Sequence, residues 1–248
     1  MRTSLVLLAA LTLSLAGAGA CAGDDEDAGG DITVFAAASL TSAYEELGAL
    51  YEEQHDGATV ELNFAASSEL AVQIAEGAAV DVFASADQVN MDKVANEVDG
   101  EPSIFATNRL TILTEPGNPK GIEDVAGLAD PELIIVSCGP EVPIGAYSQE
   151  VFETAGVDVE IDSEEADVKA VVNKVVLGEA DAGLVYVTDA VAAGDAVASV
   201  EIPDDLNVVA EYPIAALDAD GAAFRDLVLS EEGQAILAEY GFAAPARS

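Results

Sequence analysis

The segment Ile32-Thr33-Val34-Phe35-Ala36-Ala37-Ala38-Ser39-Leu40-Thr41 decides how this chain is organised. Residues 32–37 make a short apolar run, interrupted only by Thr33, and such a run reads as a buried strand. From Leu40 the period changes, because Leu40, Tyr44, Leu47 and Tyr51 recur at helical spacing until Asp56-Gly57 ends the pattern. Working outward, 60–64 reads as a second strand, about 68–76 as a helix stopped at Gly77, and 80–84 as a third strand. Strand–helix alternation of this kind predicts α/β layers around a parallel sheet.

The second half repeats the theme. Residues 110–113 read as a strand followed by a Pro116-Gly117-Asn118-Pro119 turn. Residues 133–136 read as a strand, 145–155 as a helix, 168–177 as a helix closed by Gly178, and 182–187 as a strand. A long apolar stretch at 208–217 suits a strand passing between two bodies, and helices are expected over about 221–229 and 232–240. No Pro/Gly linker interrupts the middle, so two lobes would be joined by strands.

Against 47 Asp and Glu stand 8 Lys and Arg, a formal charge of −39 at pH 7. Such a surface repels nucleic acid and anionic lipid headgroups. A hydrophobic content of 51% separates the chain from disordered acidic sequences. The acid therefore forms a solvated coat on a folded body. Concentrated salt, where the Debye length falls to about 3 Å, would screen its self-repulsion; an ordinary acidic secreted protein is the other reading.

The N-terminus has the form of an export signal over residues 1–20: Met1-Arg2-Thr3, an apolar stretch at 5–15, then small residues to Ala20. Cys21 follows at once, ahead of an acidic tether over 21–30. Small residues before a cysteine resemble a bacterial lipobox, although Ala18 stands where Leu is usual. Lipidation of Cys21 is the expectation, with ordinary cleavage near Ala20 as the alternative. The other cysteine is Cys138, so a lipidated or removed Cys21 leaves no disulfide within the mature chain. No later stretch is long and apolar enough to span a bilayer.

Serines carry most of the candidate chemistry. Ser39 follows one strand and starts a helix, and Ser67-Ser68 stand in the same position after 60–64. Hydroxyls there lie beside unpaired N–H groups and the positive end of a helix dipole. Most serines so placed only cap the helix. Two of them at the C-terminal ends of separate strands also fit the place where open α/β sheets bind ligands. The loop after 133–136 (Ser137-Cys138-Gly139-Pro140) feeds another helix, and Asp167 is the expected N-cap of the helix from Val168. Four helix starts directed at one cleft would make an anion cradle without Lys or Arg.

Catalysis and cation binding have less support. His55 is the single histidine and closes a helix, where a surface role is expected. No Gly-x-Ser-x-Gly elbow or Ser-x-x-Lys pattern is present. No His-x-x-x-His or Cys-x-x-Cys spacing supports a metal-cation site, and the acidic run 158–165 reads as a solvated face. Cys138 is assigned no reactive role.

At 32–41 the sequence resembles the periplasmic molybdate-binding proteins of ABC importers, which are type II periplasmic solute-binding proteins. The resemblance continues through Phe64-Ala65-Ala66-Ser67-Ser68-Glu69-Leu70-Ala71, 81–87, 139–147, Ala166-Asp167-Val168, 182–190 and Tyr212-Pro213-Ile214-Ala215, covering about 31–242. It implies a two-lobed α/β fold, each lobe a mostly parallel sheet flanked by helices, with two strand crossovers. Lobe I would be 31–108 plus 212–248 and lobe II 109–211. It implies a monomer that captures molybdate or tungstate, uses no cofactor, and delivers the oxyanion to permease subunits. By matched position Ser39, Ser67, Ile144, Val168 and Tyr186 would hold the ligand, Ile144 and Val168 through backbone N–H groups. Ile144 stands where a small residue is common. An exported serine-dependent hydrolase using Ser39, or an oxyanion sensor, is the alternative on the same fold.

Overall fold

The computed structural model describes residues 30–245. The signal segment and Cys21 lie outside the described residues. The first β/α units are β1 (Ile32–Ala37), α1 (Thr41–Gln54), β2 (Val60–Ala65), α2 (Ser67–Ala75), β3 (Val82–Ala84) and the short α3 (Gln88–Asp92). β4 (Ser103–Thr114) leads to β5 (Ile135–Cys138), α4 (Pro143–Ala155), β6 (Ser163–Glu165), α5 (Val168–Val176), β7 (Ala182–Tyr186), α6 (Val187–Ala193) and β8 (Ala198–Glu201). β9 (Val209–Ala216), α7 (Gly221–Leu229) and α8 (Glu231–Glu239) close the described chain.

The strands form one mixed sheet in the order β2-β1-β3-β9-β4-β7-β5-β6, with β8 also on β4. β1 pairs in parallel with β2 and β3, and β5 in parallel with β6 and β7. β9 runs antiparallel to β3 and β4. β4 changes partners along its length: Ser103 to Arg109 pair with β9, whereas Leu110 to Thr114 pair with β7 and β8. The expected strand at 110–113 is therefore the second half of a twelve-residue strand. Its first half ends in Thr107-Asn108-Arg109, whose polar side chains break the apolar signal.

Both faces of β1 are covered. Val34 and Ala36 join the main core with Leu40, Tyr44, Leu47 and Tyr51 of the first helical segment, while Phe35 joins a second cluster with Leu70, Ile74 and Met91. That two-sided burial is why the strand reads as a continuous apolar run. α5 buries Val168, Val171, Val172 and Val175, a stripe at i, i+3, i+4 and i+7. β5 starts two residues later than expected, because Ile134 is exposed; Ser137 and Cys138 consequently end the strand instead of beginning the loop.

Close packing at Gly145 seats α4 against the end of β5. A Cβ there would collide with the carbonyl oxygens of Gly139 and Cys138. Among the described residues no helix is long and apolar enough to cross a membrane.

Candidate functional site

Helix starts from both ends of the sheet meet around one small cavity. Ala37, Ala38 and Ser39 reach it from the turn that follows β1, and Ala65, Ala66 and Ser67 from the start of α2. Val142, Pro143 and Ile144 begin α4, Asp167 and Val168 begin α5, and Tyr186 precedes α6. Ala86 completes the wall. All five residues expected from the resemblance thus line a single cavity, together with the four anticipated helix starts and a fifth at Tyr186.

The caps differ among these helices. No side chain caps the starts at Ala37, Ala66 or Val142, leaving first-turn N–H groups at the cavity without a side-chain acceptor. Asp167 does cap α5, its carboxylate accepting the Ala170 N–H at 2.9 Å, as expected from sequence. Neither candidate serine caps with its hydroxyl. Ser67 Oγ accepts the Ala86 N–H at 3.0 Å, and Ser39 Oγ lies 3.0 Å from the Tyr212 hydroxyl. The capping explanation for the two serines is replaced by these long-range bonds.

Tyr186 is fully buried, and its hydroxyl has no hydrogen-bond partner among the described residues. Burial pushes its pKa well above the ordinary phenol range, so it presents a proton donor at neutral pH. Its main chain is held by Asp189, whose carboxylate accepts the Tyr186 N–H at 3.3 Å. Asp189 also pairs with Lys169 at 3.1 Å. Desolvation raises the Asp189 pKa, and the Lys169 ammonium opposes that shift. Lys169 follows Val168 in sequence but is not part of the cavity wall. The wall has no Lys or Arg among the described residues, and its one ionisable carboxylate, Asp167, is occupied by its own helix.

Several contributors were not evident in the sequence. Asp87 caps α3 by accepting the Asn90 N–H, and so fixes the loop that places Ala86. Tyr147 on α4 donates to the Ala86 carbonyl at 3.4 Å, joining α4 to the loop after β3. Tyr212 on β9 packs edge-on against Tyr186 with ring centroids 5.7 Å apart. Its position in Tyr212-Pro213-Ile214-Ala215 was visible, but its contact with Ser39 spans 173 positions.

The other expectations divide clearly. His55 stacks on Tyr51 and bonds the Tyr51 carbonyl, well away from the serines in the fold. Cys138 is buried at the end of β5, and burial pushes its thiol up to about 12. The hydroxyl that meets Ser39 is that of Tyr212, which burial keeps protonated. Among the described residues no group of His, Cys, Asp and Glu is arranged to hold a metal ion. Ile144 lines the cavity at the start of α4 and is itself buried as part of the main core.

Comparison with known proteins gives a consistent result. The family description "bacterial extracellular solute-binding protein" matches residues 32–243. The molybdate-binding protein ModA of Mycobacterium bovis is 43% identical over 221 residues, covering 86% of this chain and 85% of that protein. ModA of Escherichia coli is 31% identical, covering 97% of this chain and 98% of its own length. The periplasmic molybdate-binding protein of Azotobacter vinelandii superposes with a TM-score of 0.75 at 19% identity, covering 87% of this chain and all of that one, which establishes the shared two-lobed fold.

Proposed function

The chain belongs to the bacterial extracellular solute-binding protein family, and from that premise we propose that it captures molybdate or tungstate for an ABC importer. It is a transport component that binds and releases its ligand unchanged. One observation carries the reading most directly: Ser39, Ser67, Ile144, Val168 and Tyr186 surround a single cavity whose buried Tyr186 hydroxyl lacks a partner. A tetrahedral dianion needs donors on every side, and helix starts with hydroxyls supply them without a counter-charge. An O–H on a protonated oxyanion would meet donors instead of acceptors. The fully ionised molybdate and tungstate are favoured over phosphate on that ground, and sulfate is discriminated by size.

Closure of 31–108 plus 212–248 on 109–211 encloses the ligand. The partner switch in β4 between Arg109 and Leu110 supports this division. As a monomer tethered through lipid on Cys21, the protein would stay beside the permease subunits. The small residues before that cysteine and the acidic tether support the anchoring. Isothermal titration with molybdate, tungstate, sulfate and phosphate tests the ligand; no heat and no thermal stabilisation with either molybdate or tungstate would refute it.

A further inference from the structure

Behind the cavity a short chain of buried polar groups links the two halves of the sheet. The Asn108 side-chain amide on β4 donates to Thr188 Oγ1 at 2.8 Å and to the Tyr212 hydroxyl at 3.5 Å, and Tyr212 in turn meets Ser39. The direction of these bonds is determined. The Arg109 backbone N–H, which can only donate, ends on Asn108 Oδ1 at 2.9 Å, so the nitrogen side of the amide faces Thr188 and Tyr212. Tyr212 therefore accepts from Asn108 and spends its own proton on Ser39 Oγ. The opposite arrangement would leave a buried Tyr212 O–H without an acceptor, a cost of the order of a lost hydrogen bond. Tyr212 is completely buried, so water does not relieve it.

We propose that Tyr212, oriented by Asn108, is a positioning residue that fixes Ser39 as a hydrogen-bond donor to the bound oxyanion and thereby sets which protonation state the cleft accepts. This rests on the oxyanion-binding reading above. With one lone pair of Ser39 Oγ taken by Tyr212, the Ser39 proton has no acceptor among the described residues and is free to turn to the cavity that Ser39 lines. Ser67 is held in the same sense by the Ala86 N–H. A hydroxyl free to rotate can offer either a proton or a lone pair; these two offer protons. An oxyanion that carries a proton loses one favourable contact at each locked hydroxyl that its O–H faces.

The test is a ratio of affinities, measured at neutral pH where phosphate carries at least one proton. Molybdate binding is titrated directly, and phosphate is measured by displacement of molybdate. In Tyr212→Phe the ring contacts with Tyr186, Phe105 and Phe242 persist, while Ser39 becomes free to accept from a phosphate O–H. The molybdate-over-phosphate ratio is expected to fall about tenfold or more, the effect of one charge-assisted hydrogen bond. Asn108→Asp, nearly the same in shape, provides the second variant. Its carboxylate would draw the Tyr212 proton away, turn the Ser39 proton toward Tyr212, and lower the same ratio. A merely structural role weakens both ligands alike and leaves the ratio unchanged. An unchanged ratio in whichever variant is folded overturns the proposal. Wild-type protein that binds no molybdate instead refutes the ligand assignment, so the two failures are distinguishable.

Discussion

Tyr186 and Asp189 stand one turn apart at the start of α6, with the Asp189 carboxylate accepting the Tyr186 backbone N–H at 3.3 Å. The main chain of Tyr186 is thus pinned while its buried hydroxyl is left without a partner. A fold retains such a group at a cost of about 1–3 kcal/mol. On the proposed function, the bound oxyanion would offset that cost.

Removing the hydroxyl should separate binding from stability. Tyr186→Phe is expected to leave the ligand-free Tm unchanged or slightly raised, while the molybdate Kd rises about tenfold or more. Calorimetry on the ligand-free and titrated protein checks both. A lower ligand-free Tm with an unaltered Kd would contradict the assignment.

Each serine should report on binding and on stability. Ligand at one hundred times Kd stabilises the native state by about 2.7 kcal/mol, a Tm rise of roughly 5–11 °C for a chain of this size. Ser39→Ala and Ser67→Ala are each expected to remove most of that rise at the same molybdate concentration. Each should also lower the ligand-free stability by about 1 kcal/mol, because the buried Ala86 N–H loses its acceptor in Ser67→Ala and the buried Tyr212 hydroxyl loses its acceptor in Ser39→Ala. Thermal scans with and without molybdate read both effects.

The Lys169–Asp189 pair gives a pH dependence with a defined sign. Lys169→Met leaves a fully buried carboxylate without its cation, a loss of about 2–4 kcal/mol at neutral pH, since Lys169 itself is one-third exposed. Burial already raises the Asp189 pKa, and losing Lys169 raises it further. The folded variant therefore takes up a proton at higher pH than the unfolded chain does. The deficit is full above the folded pKa and shrinks as pH falls through it. Tm differences between variant and wild type that stay constant from neutral to mildly acidic pH would exclude this.

Asp167 combines a cap with an unfavourable charge. Asp167→Asn keeps an acceptor for the Ala170 N–H and should hold the Tm, whereas Asp167→Ala should cost about 1 kcal/mol. Because Asp167 lines the cavity, the Asn variant is expected to bind the dianion a few-fold more tightly at low salt. Titration at low ionic strength measures it.

The acidic coat predicts an unusual salt effect. A formal charge of −39 repels an approaching oxyanion in dilute buffer, and added salt screens that repulsion. The molybdate association rate should rise with salt at first. Stopped-flow rates that fall steadily from the lowest salt would disprove it.

Much of this was legible from local chemistry. The apolar runs at β1 and β7 announced strands because both of their faces are buried, and the Gly and Asp stops marked where the helices end. The strand-then-serine pattern at Ser39 and Ser67 pointed to an anion site because helix starts expose N–H groups. β4 was only half legible: Asn108 is buried by virtue of its hydrogen bonds to Thr188 and Tyr212, and a polar residue satisfied across 80 or more positions leaves no periodic signal.

What the sequence determined by itself was the α/β alternation, the anionic exterior and the residue types at each helix start. Those properties depend on neighbours within a turn or a strand. Tertiary structure alone decided that five helix starts share one cavity, that Ser39 answers to Tyr212 and Ser67 to Ala86, and that the Tyr186 hydroxyl is left open. Hydrogen-bond direction depends on which donor reaches which lone pair in space, and only the packed sheet brings residues 39, 108 and 212 within that reach.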